Sequence, residues 1–337
     1  MKFDFVIGNP PYQETLEGTS DKPIYNQFMD EAFKVSDKVE LITPARFLFN
    51  AGKTPKDWMK KILNDEHFKV MYYEQDSSKV FANTDIKGGV AVTYRDSNKK
   101  FGAIGTFTHF QELNEIVKKV VHNAGFSSID EYIYPQNKFN LDNLYMDYSQ
   151  YVNVIGSNGR EKRLTTPIFK QLDVFKKEKT DDDVGIIGLI DNKRYIKYIN
   201  KKYIEESPII DKYKVILPAS NGSGAIGEVL STPLIGEPLI GYTQSFIGIG
   251  CFDCLEQAEA TLKYIKSKFF RTMLGVLKIT QHNHKDTFKY VPLQDFTSDS
   301  DIDWSVSVAE IDKQLYKKYD LSPEEIEFIE THVKEMV

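Results

Sequence analysis

Residues 3–13 read FDFVIGNPPYQ: an apolar run of Phe3, Phe5, Val6 and Ile7, then Gly8, then Asn9, Pro10, Pro11 and Tyr12. The run predicts a buried β-strand. The two prolines predict a rigid turn at its carboxyl end, because each ring fixes φ and removes a backbone donor. An exocyclic amine on an aromatic ring is a poor nucleophile, since its lone pair is delocalised into the ring. It improves when acceptors draw its two protons out of the ring plane. The side-chain carbonyl of Asn9 and the backbone carbonyl of Pro10 are suitable acceptors. Tyr12 adds an aromatic face on which a base flipped out of its duplex can stack. A Pro-Pro pair after a strand can be only a turn. Asparagine before it and tyrosine after it are what methyl transfer to a planar amine asks for.

Outward from this turn, Ile24, Phe28, Ala32 and Phe33 recur at helical spacing and predict a helix over residues 23–35. Residues 39–43 read as a strand. Residues 55–63 read as a helix that opens on proline and carries Trp58, Ile62 and Leu63 on one face. Residues 68–73 and 89–94 are two further strands, paired as a hairpin or as sheet neighbours. Together these elements make an α/β layer, whose ligands sit at the carboxyl ends of the strands, where Asn9 lies. From about residue 126 the pattern becomes mixed. The expected organisation is therefore a partial catalytic domain over 1–125 and a recognition domain with a helical tail over 126–337.

The chain has 337 residues, 41% of them apolar, which suits a globular protein with two cores. No apolar run is long enough to span a membrane and the first residues do not form a signal peptide, so a cytoplasmic protein is expected. Cys251 and Cys254 form one C-x-x-C pair with no second pair to complete a zinc site, and a structural role is expected for them. The net charge of −6 is unevenly spread: residues 1–125 carry 17 basic and 17 acidic side chains, residues 126–294 carry 22 and 20, and residues 295–337 carry 4 and 12. Nucleic-acid affinity depends on local basic surface. Arg160, Lys162 and Arg163, and the run Lys193, Arg194, Lys197, Lys201 and Lys202, are sources of it, though each run also suits a solvated face.

With "VELITPARFL" and "KVFANTDIKGGVAVTYR" following it in order, the first segment resembles the adenine-N6 DNA methyltransferases of restriction-modification systems, and the type IIG-like members most of all. The resemblance continues through "TQSFIGIGCFD", "KSKFFRTMLGVLKITQHN" and "IDKQLYKKYDLSPEEIEFIE". It implies the second half of a Rossmann-like class I methyltransferase sheet, followed by a mixed α+β target-recognition domain. It also implies S-adenosyl-L-methionine as methyl donor, double-stranded DNA as partner, Asn9, Pro10, Pro11 and Tyr12 as the amine site, and Phe81 as a second aromatic against the flipped adenine. Asn9 and Pro10 would also border the donor. Family members carry a glycine-rich donor loop and a ribose-binding acid ahead of the NPPY strand, whereas eight residues precede Asn9 here. The NPPY strand is therefore expected at a sheet edge that is normally interior, with a second chain or a missing N-terminal segment to complete the donor site and weak or no donor binding by this chain alone.

Residues 246–250, Phe-Ile-Gly-Ile-Gly, match a donor-loop pattern that a circular permutation could have moved. The five residues before them do not form the apolar strand such a loop must end. Downstream, Asn221, Gly222, Ser223 and Gly224 predict a flexible loop, and Thr280, Gln281, His282, Asn283, His284 and Lys285 a polar cluster. Gln281 and Asn283 have the groups to read adenine, and Lys278 and Lys285 those to meet guanine or phosphate. The histidines lack the further ligands of a metal nuclease. Ser322 and Pro323 open a final helix whose first turn holds Glu324 and Glu325, a sound N-cap and dipole arrangement. One other reading stays open, a DNA-binding specificity module or remnant without catalysis; a narrower one, a methyltransferase for glutamine side chains, is opposed by the long downstream recognition-like region.

Overall fold

The apolar run at the start forms β1 (Val6–Gly8), which pairs in parallel with β4 (Lys38–Pro44) through Val6↔Val39, Ile7↔Glu40 and Gly8↔Leu41. A computed structural model describes residues 2–14, 22–49, 53–86, 88–155, 162–221, 226–278 and 281–336. It divides into two compact units, Met1–Asn114 and Glu115–Val337. The dividing point falls within α3 (Gln111–Val121), ahead of the change in sequence pattern near residue 126.

In the first unit, the turn after β1 leads into a short two-stranded ladder, β2 (Gln13–Glu14) with β3 (Lys22–Pro23), and then α1 (Tyr25–Val35). After β4 come α2 (Lys56–Leu63), β5 (Phe68–Glu74) and β6 (Val90–Asp96). The sheet order is β1-β4-β6-β5, with β6 antiparallel to both β4 and β5. Alternation along β4 buries Val39, Leu41 and Thr43, and α1 and α2 add Tyr25, Met29, Trp58, Met59, Ile62 and Leu63 to the same core. Pro55 is the N-cap of α2 rather than its first residue.

The strand carrying the NPPY turn is not buried as its composition predicts. β1 lies at an edge of the sheet, and Phe3, Phe5 and Ile7 are 51%, 44% and 73% exposed. Among the described residues it pairs only with β4.

The second unit holds two further sheets. One has the order β12 (Ile240–Tyr242), β8 (Asp183–Ile190), β9 (Lys193–Asn200), with β12 parallel to β8. β8 and β9 form a hairpin through Asp191 and Asn192, both at positive φ, as a two-residue turn matched to strand twist requires. The other has the order β11 (Leu234–Gly236), β10 (Tyr213–Pro218), β13 (Phe246–Phe252), β7 (Ile133–Tyr134), all antiparallel. Helices α4 (Leu141–Asp147) and α5 (Ile168–Gln171) accompany these sheets, and α6 (Leu255–Lys266), α7 (Lys268–Gly275), α8 (Val308–Lys318) and α9 (Pro323–His332) follow them. Ser322 and Glu325 close a capping box at the start of α9. The chain is thus a mixed α/β protein with several sheets.

The glycine pattern at 246–250 lies inside β13. Its glycines serve packing: a Cβ on Gly248 would collide with the Tyr242 hydroxyl, and Gly250, at φ +89°, lies against the Phe252 ring. A donor loop placed there by permutation is excluded, because the segment is a hydrogen-bonded strand between β10 and β7.

Candidate active site

β1 and β4 run parallel, so their carboxyl ends open on the same side of the sheet. β1 leads into Asn9, Pro10, Pro11 and Tyr12, and β4 leads into a 3-10 turn, Ala45–Phe49. Between them is a cleft of about 490 Å³ whose walls include Asn9, Pro10, Tyr12, Arg46 and Asp85. The prolines stiffen the turn, and Ile24 N–H donates to the Tyr12 carbonyl at 3.1 Å, fixing its exit. Asn9 is exposed, and neither its side-chain carbonyl nor the Pro10 carbonyl accepts a hydrogen bond among the described residues.

Tyr12 is half-buried. Its hydroxyl is buried without a hydrogen-bond partner among the described residues, and burial pushes its pKa up. A buried polar atom left unpaired costs about 1–3 kcal/mol, and such atoms are rare enough to need a reason.

Phe81 is half-buried in a folded loop. Its N–H donates to the Ser77 carbonyl at 2.9 Å, and Thr84 Oγ1 donates to its carbonyl at 2.7 Å. Ser77 Oγ accepts from Ile86 N–H at 2.8 Å and donates to the Thr84 carbonyl, tying the loop across. The described walls of the cleft take Asp85 and Ile86 from this loop and do not include Phe81. Arg46 and Asp85 went unread as site residues in the sequence, although both lie in stretches that carry the resemblance. The available signal was Gly88-Gly89. Gly88 has φ +87° and a Cβ there would lie 2.8 Å from Arg46 Cγ, so glycine makes room for that side chain.

The candidate DNA contacts fare unevenly. Arg160 lies outside the described residues, as do Gly222, Ser223, Gly224 and Thr280. Lys162 is exposed and paired with Glu205 at 2.7 Å, and Arg163 is exposed beside its bridge to Lys138. Gln281 and Lys285 are exposed.

Lys278 and Asn283 do not present base-reading groups. Lys278 is 4% exposed and donates to the Asn221 carbonyl at 2.8 Å, with Glu228 beside it at 3.4 Å. Asn283 is 3% exposed and donates to the Pro218 carbonyl at 2.9 Å. Both are held by backbone carbonyls they must satisfy, which is why burial wins over display.

Both cysteines are free, and no group of residues able to hold a metal is found among the described residues. None of the described helices is long and apolar enough to cross a membrane.

Residues 1–81 match the Eco57I restriction-modification methylase family. An uncharacterized adenine-specific methylase of Mycoplasma pneumoniae is 32% identical over 95 residues, covering 27% of this chain and 22% of that protein. Among solved structures, the type IIG restriction endonuclease BpuSI aligns at TM-score 0.33 and 10% identity, over 93% of this chain and 48% of its own. The type IIL restriction-modification enzyme MmeI, in complex with DNA, aligns at TM-score 0.32 and 9% identity, over 98% and 56%. The chain thus spans about a fifth of the curated relative and about half of each of these two structures.

The family implies S-adenosylmethionine. Such a donor needs backbone amides at a glycine-rich strand-to-helix turn and a carboxylate for its ribose. Among the described residues of the first unit, β1 runs into Pro-Pro and β4 into a 3-10 turn, and neither supplies that loop. The described residues of the first unit therefore do not fit the whole donor.

Proposed function

We propose that the chain supplies the amine-binding wall and the DNA-recognition region of a site-specific adenine-N6 DNA methyltransferase of a restriction-modification system. The observation that carries this reading is the Asn9-Pro10-Pro11-Tyr12 turn at the carboxyl end of β1, with two carbonyl acceptors unengaged among the described residues and both on residues that line a cleft. A flipped-out adenine in that cleft gives its two N6 protons to Asn9 Oδ1 and the Pro10 carbonyl and lays its ring on Tyr12. Acceptors set for an amine that is becoming tetrahedral favour the transition state over the planar ground state, which is where binding energy raises rate.

The order β1-β4-β6-β5, with only the β1–β4 pair parallel, supports assignment to the second half of a class I methyltransferase sheet. The apolar outer edge of β1, bearing Phe3, Phe5 and Ile7, supports completion of the donor site by further strands, on a second chain or on an additional segment. In this reading the second unit recognises the DNA target, with Lys162, Arg163, Gln281 and Lys285 on its exposed surface.

The test is binding to a duplex holding a single unopposed adenine, which is cheaper to extrude than a paired one. Wild-type protein is expected to prefer it to the same duplex with an unopposed thymine, and Tyr12→Ala to lose that preference. A wild-type chain indifferent to the unopposed base, or a Tyr12→Ala chain that keeps the preference, contradicts the assignment.

A further inference from the structure

A second cavity, of about 240 Å³, shares Tyr12 and Arg46 with the NPPY cleft and is also lined by Tyr25, Lys53 and Thr54. Two of its described lining residues are cations and none is a carboxylate; Asp85 lines the cleft instead. Arg46 is half-buried, and its guanidinium makes no hydrogen bond or ion pair among the described residues. A half-buried guanidinium that no protein group engages keeps its donors available to an anion entering the cavity.

The surroundings nevertheless hold Arg46 in place. Ala45 N–H donates to the Gly89 carbonyl at 3.0 Å, and the absence of a Cβ at Gly88 lets that backbone close over Arg46 Cγ. Tyr25, whose hydroxyl is 2.6 Å from Thr54 Oγ1, is shifted upward by burial and pulled back by the Arg46 charge.

We propose that Arg46, with Lys53 beside it, anchors a DNA backbone phosphate flanking the target adenine while the base lies on Tyr12, which makes Arg46 a positioning residue. This rests on the adenine-methyltransferase reading. The planar guanidinium fork matches a phosphate's oxygens. The cavity is smaller than the roughly 300–1,000 Å³ sites that engulf a drug-sized ligand, yet it adjoins the cleft through Tyr12 and Arg46. Base and phosphate of one strand therefore fall to neighbouring compartments, and the anchor fixes how far the base reaches toward Asn9.

The test uses the 337-residue chain and the unopposed-adenine duplex, with each phosphate flanking the adenine replaced in turn by a neutral methylphosphonate. Wild-type affinity is expected to fall roughly tenfold at one of the two positions, as the loss of a charge-assisted contact predicts. Arg46→Met is expected to bind the unmodified duplex about tenfold more weakly and to ignore that replacement. Arg46→Lys should recover most of the response, which a merely structural role would not produce.

The proposal is overturned if Arg46→Met responds to both replacements as fully as wild type, or if wild type responds to neither. It is equally overturned if Arg46→Met binds the unmodified duplex as tightly as wild type. Failure of the phosphate anchor leaves the preference for unopposed adenine intact. Failure of the underlying assignment removes that preference in the wild-type chain itself.

Discussion

At Asn9 the proposed chemistry rests on one acceptor that nothing in the described chain engages. In an enzyme assembled with a donor-binding half, Asn9→Ala should abolish methyl transfer while DNA affinity stays near wild type, because the acceptor matters most as the amine becomes tetrahedral. Parallel turnover and binding assays check this, and full turnover by Asn9→Ala would contradict the role. Tyr12 separates two contributions. Removing its ring in Tyr12→Ala should weaken capture of an extrahelical adenine by about 1–3 kcal/mol. Removing only its unpaired hydroxyl in Tyr12→Phe should be neutral or stabilising by up to about 1–3 kcal/mol. Urea denaturation reads the second effect, and a clear loss of stability in Tyr12→Phe would show that the hydroxyl has a partner.

Among the helices, α7 is capped locally by Ser267, whose hydroxyl accepts from Phe270 N–H at 3.1 Å, and a second time from outside its own sequence. Asp312, on α8, accepts from Lys268 N–H at 3.0 Å and from Phe269 N–H at 2.9 Å. It is 3% exposed, and burial lifts its pKa to about 6 against the pull of those two amides. A carboxyl whose folded pKa is raised contributes stability that is fully present below its unfolded pKa, near 3.8, and lost as pH rises through about 6. The stability of wild type relative to Asp312→Asn should therefore fall between about pH 4 and pH 6; urea midpoints that keep a constant difference across that window would contradict the assignment. Nothing local in the sequence marks Asp312 as a cap, because the helix it serves begins 44 residues earlier. The opposite holds for α9, where Ser322, Pro323 and Glu325 stand side by side and the capping box is legible directly. Strands and helices of the first unit were legible for the same reason, since alternation in β4 and 3.6-residue spacing in α1 are local patterns. Phe3, Phe5 and Ile7 read as core by residue type alone, whereas the edge position that the resemblance implies for this strand is the one the sheet order shows. Lys278 and Asn283 misled for a related reason: polar residue types do not say whether they will face solvent or satisfy a buried carbonyl.

For the molecule as a whole, net charge is a poor guide to its partner, since most of the excess acid sits beyond residue 294 and leaves the rest near balance. Charge reversal at Lys162 and Arg163 should weaken binding to all DNA sequences alike and flatten its salt dependence. Substitution of Gln281 should instead shift which site is preferred. Competition binding at fixed salt separates these outcomes, and no change from either group would move the recognition surface elsewhere. Calorimetric titration of the chain with S-adenosylmethionine should give weak or no binding, because the glycine pattern at 246–250 is built into β13; micromolar affinity would show a donor site elsewhere in the chain. The most direct measurement is mapping of N6-methyladenine in DNA from a methylation-free bacterial host that makes this chain together with a donor-binding half. The expected result is N6-methyladenine at one fixed sequence context with the wild-type chain and none with Asn9→Ala. Methylation that survives Asn9→Ala, or none with the wild-type chain and its donor-binding half, would contradict the assignment of the NPPY turn.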